Sequence, residues 1–417
     1  MHFNAHLDVD LIAVEQADEL ALMLELTAPP APATEARAPA TLEVVLDRSA
    51  SMYDGKLDAA LTALDALVTR LDPADRFGLV VFDDEVEVVV PAGPLHDKAA
   101  VREALRRVAP GGMTNLSGGY LRGLQEARRV ADGRGATLLL LSDGHANEGV
   151  TEAGELESIA VNAHRQGVTT GTLGLGLGYD EVLMSGVARG GSGNHVFAEE
   201  GDSAGRLIAA EVDGLLSQTA QAVSLIVRPT WEVAELRLWN DLPVAAIDGG
   251  AMVELGDLYG GEARKLVLTL SVPSMSALGL AKVADLELRY VELPSATEHT
   301  VEVPVHVNVV PGDQAAGRIP DPTVRSELSY QQAQDAKRKA SDALRAGDSG
   351  GAARLYADAG DVLSAAASAA PPAMAADMSE ETDLLRDLAD RAIVDDASRV
   401  AKFTDADRAR KGRKRGR

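Results

Sequence analysis

The sequence predicts an α/β unit with a doubly wound, mostly parallel sheet, inserted into a discontinuous antiparallel β-sandwich and followed by an α-helical region. Three observations predict this. Between residues 38 and 220, strands that are apolar on both faces alternate with helical stretches. On either side of that span, apolar and polar residues alternate with period two. From about residue 323 the chain becomes Ala-rich at helical spacing. Strands apolar on both faces belong to parallel sheets covered by helices, whereas period-two alternation marks half-buried strands.

In chain order, "HLDVDLIA" and "LALMLEL" place Leu7, Val9 and Leu11, then Leu20, Leu22, Leu24 and Leu26, on single faces. "TAPPAPATEARAPA" reads as an extended linker. "TLEVVLD" opens the α/β unit, with a helix from Lys56 to Arg70 behind it. "RFGLVVFD" and an edge partner, "EVEVVV", come next, then helices over about Asp97–Val108 and Leu116–Ala131. "ATLLLLSDG", a helix near Ala153–Arg165, "VTTGTLGLG", a short helix, "NHVFAE" and a last helix over about Gly205–Ala220 complete it. Alternation then returns: Leu266, Leu268, Leu270 and Val272 share a face, as do Leu286, Leu288 and Tyr290, and the odd-numbered valines from Val301 to Val309. The β-sandwich is therefore assigned residues 1–35 and 221–312. A helical domain is assigned 323–402, with helices over Val324–Arg345, Gly351–Ser368 and Ser379–Val400, and a basic disordered tail 403–417.

Composition narrows the function classes. The 417 residues are 46% hydrophobic, enough for several cores. The formal net charge of −24 argues against nucleic acid and anionic membranes as partners. With no cysteine there is no thiolate zinc site, disulfide framework or cysteine nucleophile. The N-terminus lacks a signal-peptide pattern and no apolar run reaches membrane-spanning length, so a cytoplasmic protein is expected.

The chemistry concentrates where "LEVVLDRSASM" ends. Asp47, Ser49 and Ser51 follow a buried strand at every second position, in a loop that can turn all three toward one point. Thr114 precedes a helix in "PGGMTNL", and Asp143 follows a buried strand in "LLLLSDG". In such sheets all three loops meet at the carboxyl edge, where ligands bind. Two carboxylates and three hydroxyls are hard oxygen donors. They suit magnesium, which is held by one or two carboxylates and keeps other positions for water or an outside oxygen. Helix capping by Asp47, Ser49 or Thr114 is the competing explanation for each residue taken alone.

Asp47-Arg48-Ser49-Ala50-Ser51, then Thr114, then Asp143, resembles the metal-ion-dependent adhesion site of the von Willebrand factor A domain family, over roughly residues 40–220. "GLGYDEVLMSGVARGGSGNHVFAEEGD" is most similar to bacterial members related to the inter-α-trypsin inhibitor heavy chains. The resemblance implies that the hydroxyls of Ser49, Ser51 and Thr114 contact a divalent cation (Mg2+, or Mn2+ or Ca2+). Asp47 and Asp143 would act mostly through bound water, and an open position would take a Glu or Asp of a partner protein. It implies binding rather than catalysis, with AAA+ ATPases as one class of partner. Ala50 departs from the family's usual Gly; a positive φ there would be strained.

The enzyme alternatives are a serine hydrolase and a magnesium-dependent phosphoesterase. "GDSAG" at 201–205 matches a nucleophile pattern at Ser203, although Asp202 and Ser203 also suit a helix cap and "AEE" removes the sharp elbow. A phosphoesterase would need a base or second metal near Asp47, for which Asp83 and Asp84 are candidates. "GDSGG" at 347–351 is explained by Gly347 ending one helix and Asp348 capping the next.

Overall fold

The computed structural model describes residues 1–30, 39–131, 135–143, 145–176, 178–198, 207–208, 217–293, 295 and 297–413. The sandwich uses both ends of the predicted discontinuous unit. One sheet runs β1 (His2–Leu7), β3 (Asp18–Thr27), β14 (Ala263–Val272), β11 (Glu235–Leu238). The other runs β12 (Val244–Ile247), β13 (Gly250–Tyr259), β10 (Gln218–Pro229), β15 (Gly279–Glu292), β16 (Thr297–Val310), β2 (Leu11–Ala13). All pairings are antiparallel except β16 with β2. The alternating leucines predicted to share faces, from Leu20 to Leu26 and Leu266 to Leu270, interlock with Leu286, Leu288 and Val305–Val309 in one core.

Between β3 and β10 the chain builds the α/β unit. Its sheet has the order β6 (Val86–Pro94), β5 (Arg76–Phe82), β4 (Thr41–Asp47), β7 (Ala136–Ser142), β8 (Val168–Leu175), β9 (Ser192–Ala198). Only the edge strand β6 is antiparallel. Strand β4 is buried along its whole length because helices cover both faces. Leu42, Val44 and Leu46 pack in the core of α1 (Lys56–Arg70) and α2 (Lys98–Leu105). Val45 packs in the core of α3 (Leu116–Val130), α4 (Ala153–Arg165) and α5 (Glu181–Gly190). After β4 the chain fills one side of it with β5, then crosses to the other with β7. Asp47, the last residue of β4, thus lies at the point where strand order reverses.

After a short helix, α6 (Gly312–Ala315), the chain forms α7 (Pro322–Arg345), α8 (Ser349–Ala367), α9 (Pro372–Val394) and α10 (Ala397–Arg413). Val324 and Leu328 of α7 cover the outer face of the four-stranded sheet at Ala21, Met23 and Val267. This region differs from expectation in two ways. The helix expected over Ser379–Val400 is two helices: Asp395 is extended, and Asp396 accepts the backbone N–H of Arg399 to start α10. Secondly, the tail expected to be disordered from 403 is helical to Arg413. A run of basic residues read without its surroundings looks solvated. Here Arg408 pairs with Asp241, Lys411 with Glu381, and the Thr404 hydroxyl lies 2.9 Å from that of Tyr356. Most of the helix expected over Gly205–Ala220 lies outside the described residues; Gln218–Ala220 opens β10.

Candidate metal centre

Asp47 ends β4 with its carboxylate buried. Its Oδ1 accepts the backbone N–H of Ser49 (2.8 Å), which folds the loop back on the strand, and its Oδ2 accepts the Ser142 hydroxyl from the end of β7 (2.6 Å). The loop then takes a single 3-10 turn over Ala50–Met52. That turn sets the hydroxyls of Ser49 and Ser51 3.1 Å apart. Ser51 donates to Asp143 Oδ1 across 92 residues of sequence, at 2.6 Å. Asp47, Ser49, Ser51 and Asp143 are therefore joined in one hydrogen-bonded chain.

Thr114 arrives on the third loop and is buried. Gly111 N–H donates to the Arg48 carbonyl (2.7 Å) and Ala50 N–H to the Gly112 carbonyl (2.9 Å), tying this loop to the first. Asn147, downstream of Asp143, accepts the Thr114 N–H at 2.9 Å and donates its own N–H to the Thr114 carbonyl at 3.2 Å. The Thr114 hydroxyl takes part in none of these bonds. Asp83 braces the same corner: its carboxylate accepts from Arg48 Nε (3.1 Å) and from the backbone of Glu85 (2.8 Å) and Gly112 (3.4 Å). Asp83 is thus committed to holding loops, and Asp84 beside it is exposed.

The caps that competed for these residues are filled otherwise. Gly55, with φ of +88°, precedes α1 and carries no side-chain cap. Asn115, not Thr114, caps α3 by accepting the Gly118 N–H at 2.9 Å. Ala50 is not among the residues with positive φ, so it brings no strain. Gly347 does adopt positive φ (+82°), and Asp348 caps α8, as their spacing suggests. Ser203 lies outside the described residues.

Electrostatically the edge is short of positive charge. Burial pushes the Asp47 carboxyl up to about 6, against hydrogen bonds from Ser142 and Ser49 that lower it, with the Asp143 charge adding to the rise. One cation answers Asp143: the Lys56 ammonium contacts its buried carboxylate and donates to the Ser51 carbonyl (3.1 Å). Among the described residues no group of three or more His, Cys or acidic side chains is arranged to hold a metal. A cation here would depend on hydroxyls to complete its shell, which is the donor set present. Lys56, Ser142 and Asn147 were not singled out from sequence. Only Lys56 carries a signal, as a basic residue opening a helix on this edge, where the helix dipole disfavours it. His145 lies on the rim, 3.5 Å from Asp180.

A family model described as von Willebrand factor type A domain matches residues 42–207. Protein sll0103 of Synechocystis sp. is 26% identical over 333 residues, covering 76% of this chain and 77% of that protein. Inter-alpha-trypsin inhibitor heavy chain H1 of Sus scrofa is 33% identical over 122 residues, which is 27% of this chain and 13% of that one. A solved von Willebrand factor type A structure from Catenulispora acidiphila shares the fold across 93% of this chain and 89% of its own, with a TM-score of 0.73 at 17% identity. Domains of this type are generally metal-dependent protein-interaction modules. No helix among the described residues is long and apolar enough to cross a membrane. Residues 42–207 are a von Willebrand factor type A domain.

Proposed function

We propose that Asp47, Ser49, Ser51, Thr114 and Asp143 hold one divalent cation, magnesium in the first instance, and that the cation completes its shell with a carboxylate from a partner protein. The observation that supports this is the hydrogen-bonded chain from Asp47 through Ser49 and Ser51 to Asp143: two buried carboxylates and two hydroxyls brought together from two loops, with one ammonium on Asp143. Buried charges are normally paired or coordinate metals. A hard cation bound by few carboxylates retains Lewis acidity and exchangeable positions. An incoming acid would gain from a partly dry setting, where charge-assisted contacts are strongest.

The rim favours a partner whose acid sits beside an apolar residue. Tyr53 and Met113, on the two loops that flank the hydroxyls, are each more than half exposed. On a chain of net charge −24, attraction for an acid must come locally, from the cation.

The test is capture of partners on immobilised full-length protein in magnesium and in EDTA, with Asp143→Ala as control. Partners retained only by wild type in magnesium, and eluted by EDTA, fit the proposal; mass spectrometry then shows whether AAA+ ATPases are among them. Retention unchanged by EDTA or by Asp143→Ala contradicts it.

A further inference from the structure

The residue that stands out at this edge is Lys56. It is the first residue of α1, and the left-handed Gly55 before it turns the helix start toward the metal loops. Its ammonium reaches back to two points already described, the Ser51 carbonyl and the Asp143 carboxylate. Room for its stem is provided across the edge by Gly176, at φ +72°. A Cβ there would come within 3.2 Å of Lys56 Cε and 3.4 Å of Nζ. The Asp143 side chain is fully buried while that of Lys56 is 30% exposed. The acid is fixed and the base stands at the solvent boundary.

We infer that Lys56 is a tethered counter-cation that sets the affinity of this edge for divalent metal. This rests on the metal-binding proposal above. In the metal-free protein the ammonium neutralises Asp143, whose isolated charge would be costly to bury. A divalent cation that draws on Asp143 must compete with it. Either the ammonium stays and repels the ion, or it gives up Asp143 and swings outward on its flexible four-carbon stem. Both routes weaken metal binding relative to a neutral side chain at this position. The second leaves an ammonium at the rim, where it can pair with the same partner carboxylate that the cation receives.

The opposite role is also definite. If Lys56 mainly orients Asp143 for coordination, its loss would weaken metal binding. The experiment measures Mn2+ and Mg2+ binding by calorimetry on full-length wild type, Lys56→Met and Lys56→Gln at fixed pH and ionic strength, with melting curves in EDTA and in metal. Expected are at least about tenfold tighter binding in both variants, a lower midpoint than wild type in EDTA, and a larger rise on adding metal. Equal or weaker affinity in both variants, with wild type binding, overturns the inference and leaves the metal proposal standing. Failure of wild type to bind either cation overturns both.

Discussion

Two buried carboxylate pairs in this molecule meet opposite fates. In the helical region, Glu381 and Asp407 share two ammonium groups. Lys337, fully buried, contacts both acids, and Lys411 reaches Glu381 at 2.6 Å and Asp407 at 3.2 Å. At the sheet edge, the Lys56 ammonium, on a side chain 30% exposed, meets Asp143, while Asp47 is held by the Ser142 hydroxyl and the Ser49 backbone N–H. The first set is two negative against two positive charges and is closed. The second is two against one and opens to solvent through Lys56. Burial pushes Glu381 up, but Lys337 and Lys411 more than reverse this and hold it below the usual carboxylate range. At Asp47 burial prevails. A saturated cluster stabilises a fold; the unsaturated one at the switch point is where a cation is proposed to bind.

Glu43 marks a third outcome. It lies in β4, four residues before Asp47, with both carboxyl oxygens buried and without a hydrogen-bond partner among the described residues. Gly78 gives it room, since a Cβ there would lie 2.0 Å from Glu43 Oε2. Burial, helped by the nearby Glu126 charge, pushes its carboxyl up to about 9. This acid is accommodated by keeping its proton.

The contrast can be broken most forcefully in the helical region. Ending the chain after Phe403, where the tail was expected to start, removes Asp407, Lys411, Arg408 and Thr404 together. It also strands Lys337 against Glu381 alone. Chemical denaturation should show a larger loss than any single substitution below, and the loss should be the same in magnesium and in EDTA. Next in size is Lys337→Met, which leaves two buried acids facing one lysine. Roughly 3–5 kcal/mol of stability should go, again independent of metal. A metal-dependent loss in either protein would erase the distinction between closed and open clusters.

Glu43→Gln sharpens the third case. Folded Glu43 keeps its proton up to about 9, whereas the unfolded chain releases it near 4.5. The unfolded state therefore binds fewer protons across that window, and stability falls as pH rises through it. The Gln variant should be the more stable protein at pH 8, by more than ~1 kcal/mol, and its stability should depend less on pH between those values. Equal slopes for the two proteins would show that Glu43 is ionised or solvated in the fold.

Smaller effects are expected at the edge itself. Thr114→Ala leaves the backbone bonds to Asn147 in place, so the metal-free midpoint should hardly move. Calorimetric Mg2+ affinity should fall about tenfold, on the order of 1.4 kcal/mol. An unaltered affinity would remove Thr114 from the site. Ala50→Gly should change stability by no more than about 0.5–1 kcal/mol, and in the destabilising direction. Ala50 has no positive φ to relieve, and Gly adds only chain entropy to the unfolded state.

Much of this was legible in the sequence because it is written in local pattern. The apolar run from Leu42 to Leu46 followed by Asp47 marks a buried strand reaching a sheet edge, and the wide β-faces from Leu20 to Leu26 and Leu266 to Val272 mark the sandwich. Three pieces were not legible, for a common reason. Lys56 faces Asp143 only because Gly55 turns the helix start and Gly176 leaves space. The break at Asp395 depends on Asp396 capping α10. The basic end of the chain becomes a helix because acids on other elements, Asp241 and Glu381, receive Arg408 and Lys411. Charge read along the chain shows what must be neutralised; the partner that does so is a tertiary fact.

Melting of the full chain in magnesium and in EDTA, for wild type, the Ser51→Ala/Thr114→Ala double variant and Lys337→Met, compares the open and closed clusters most directly. Magnesium should raise the midpoint of wild type and, by a similar amount, of Lys337→Met, while leaving the double variant unmoved. An equal rise in all three proteins, or none in wild type, would contradict a cation site built from these five residues.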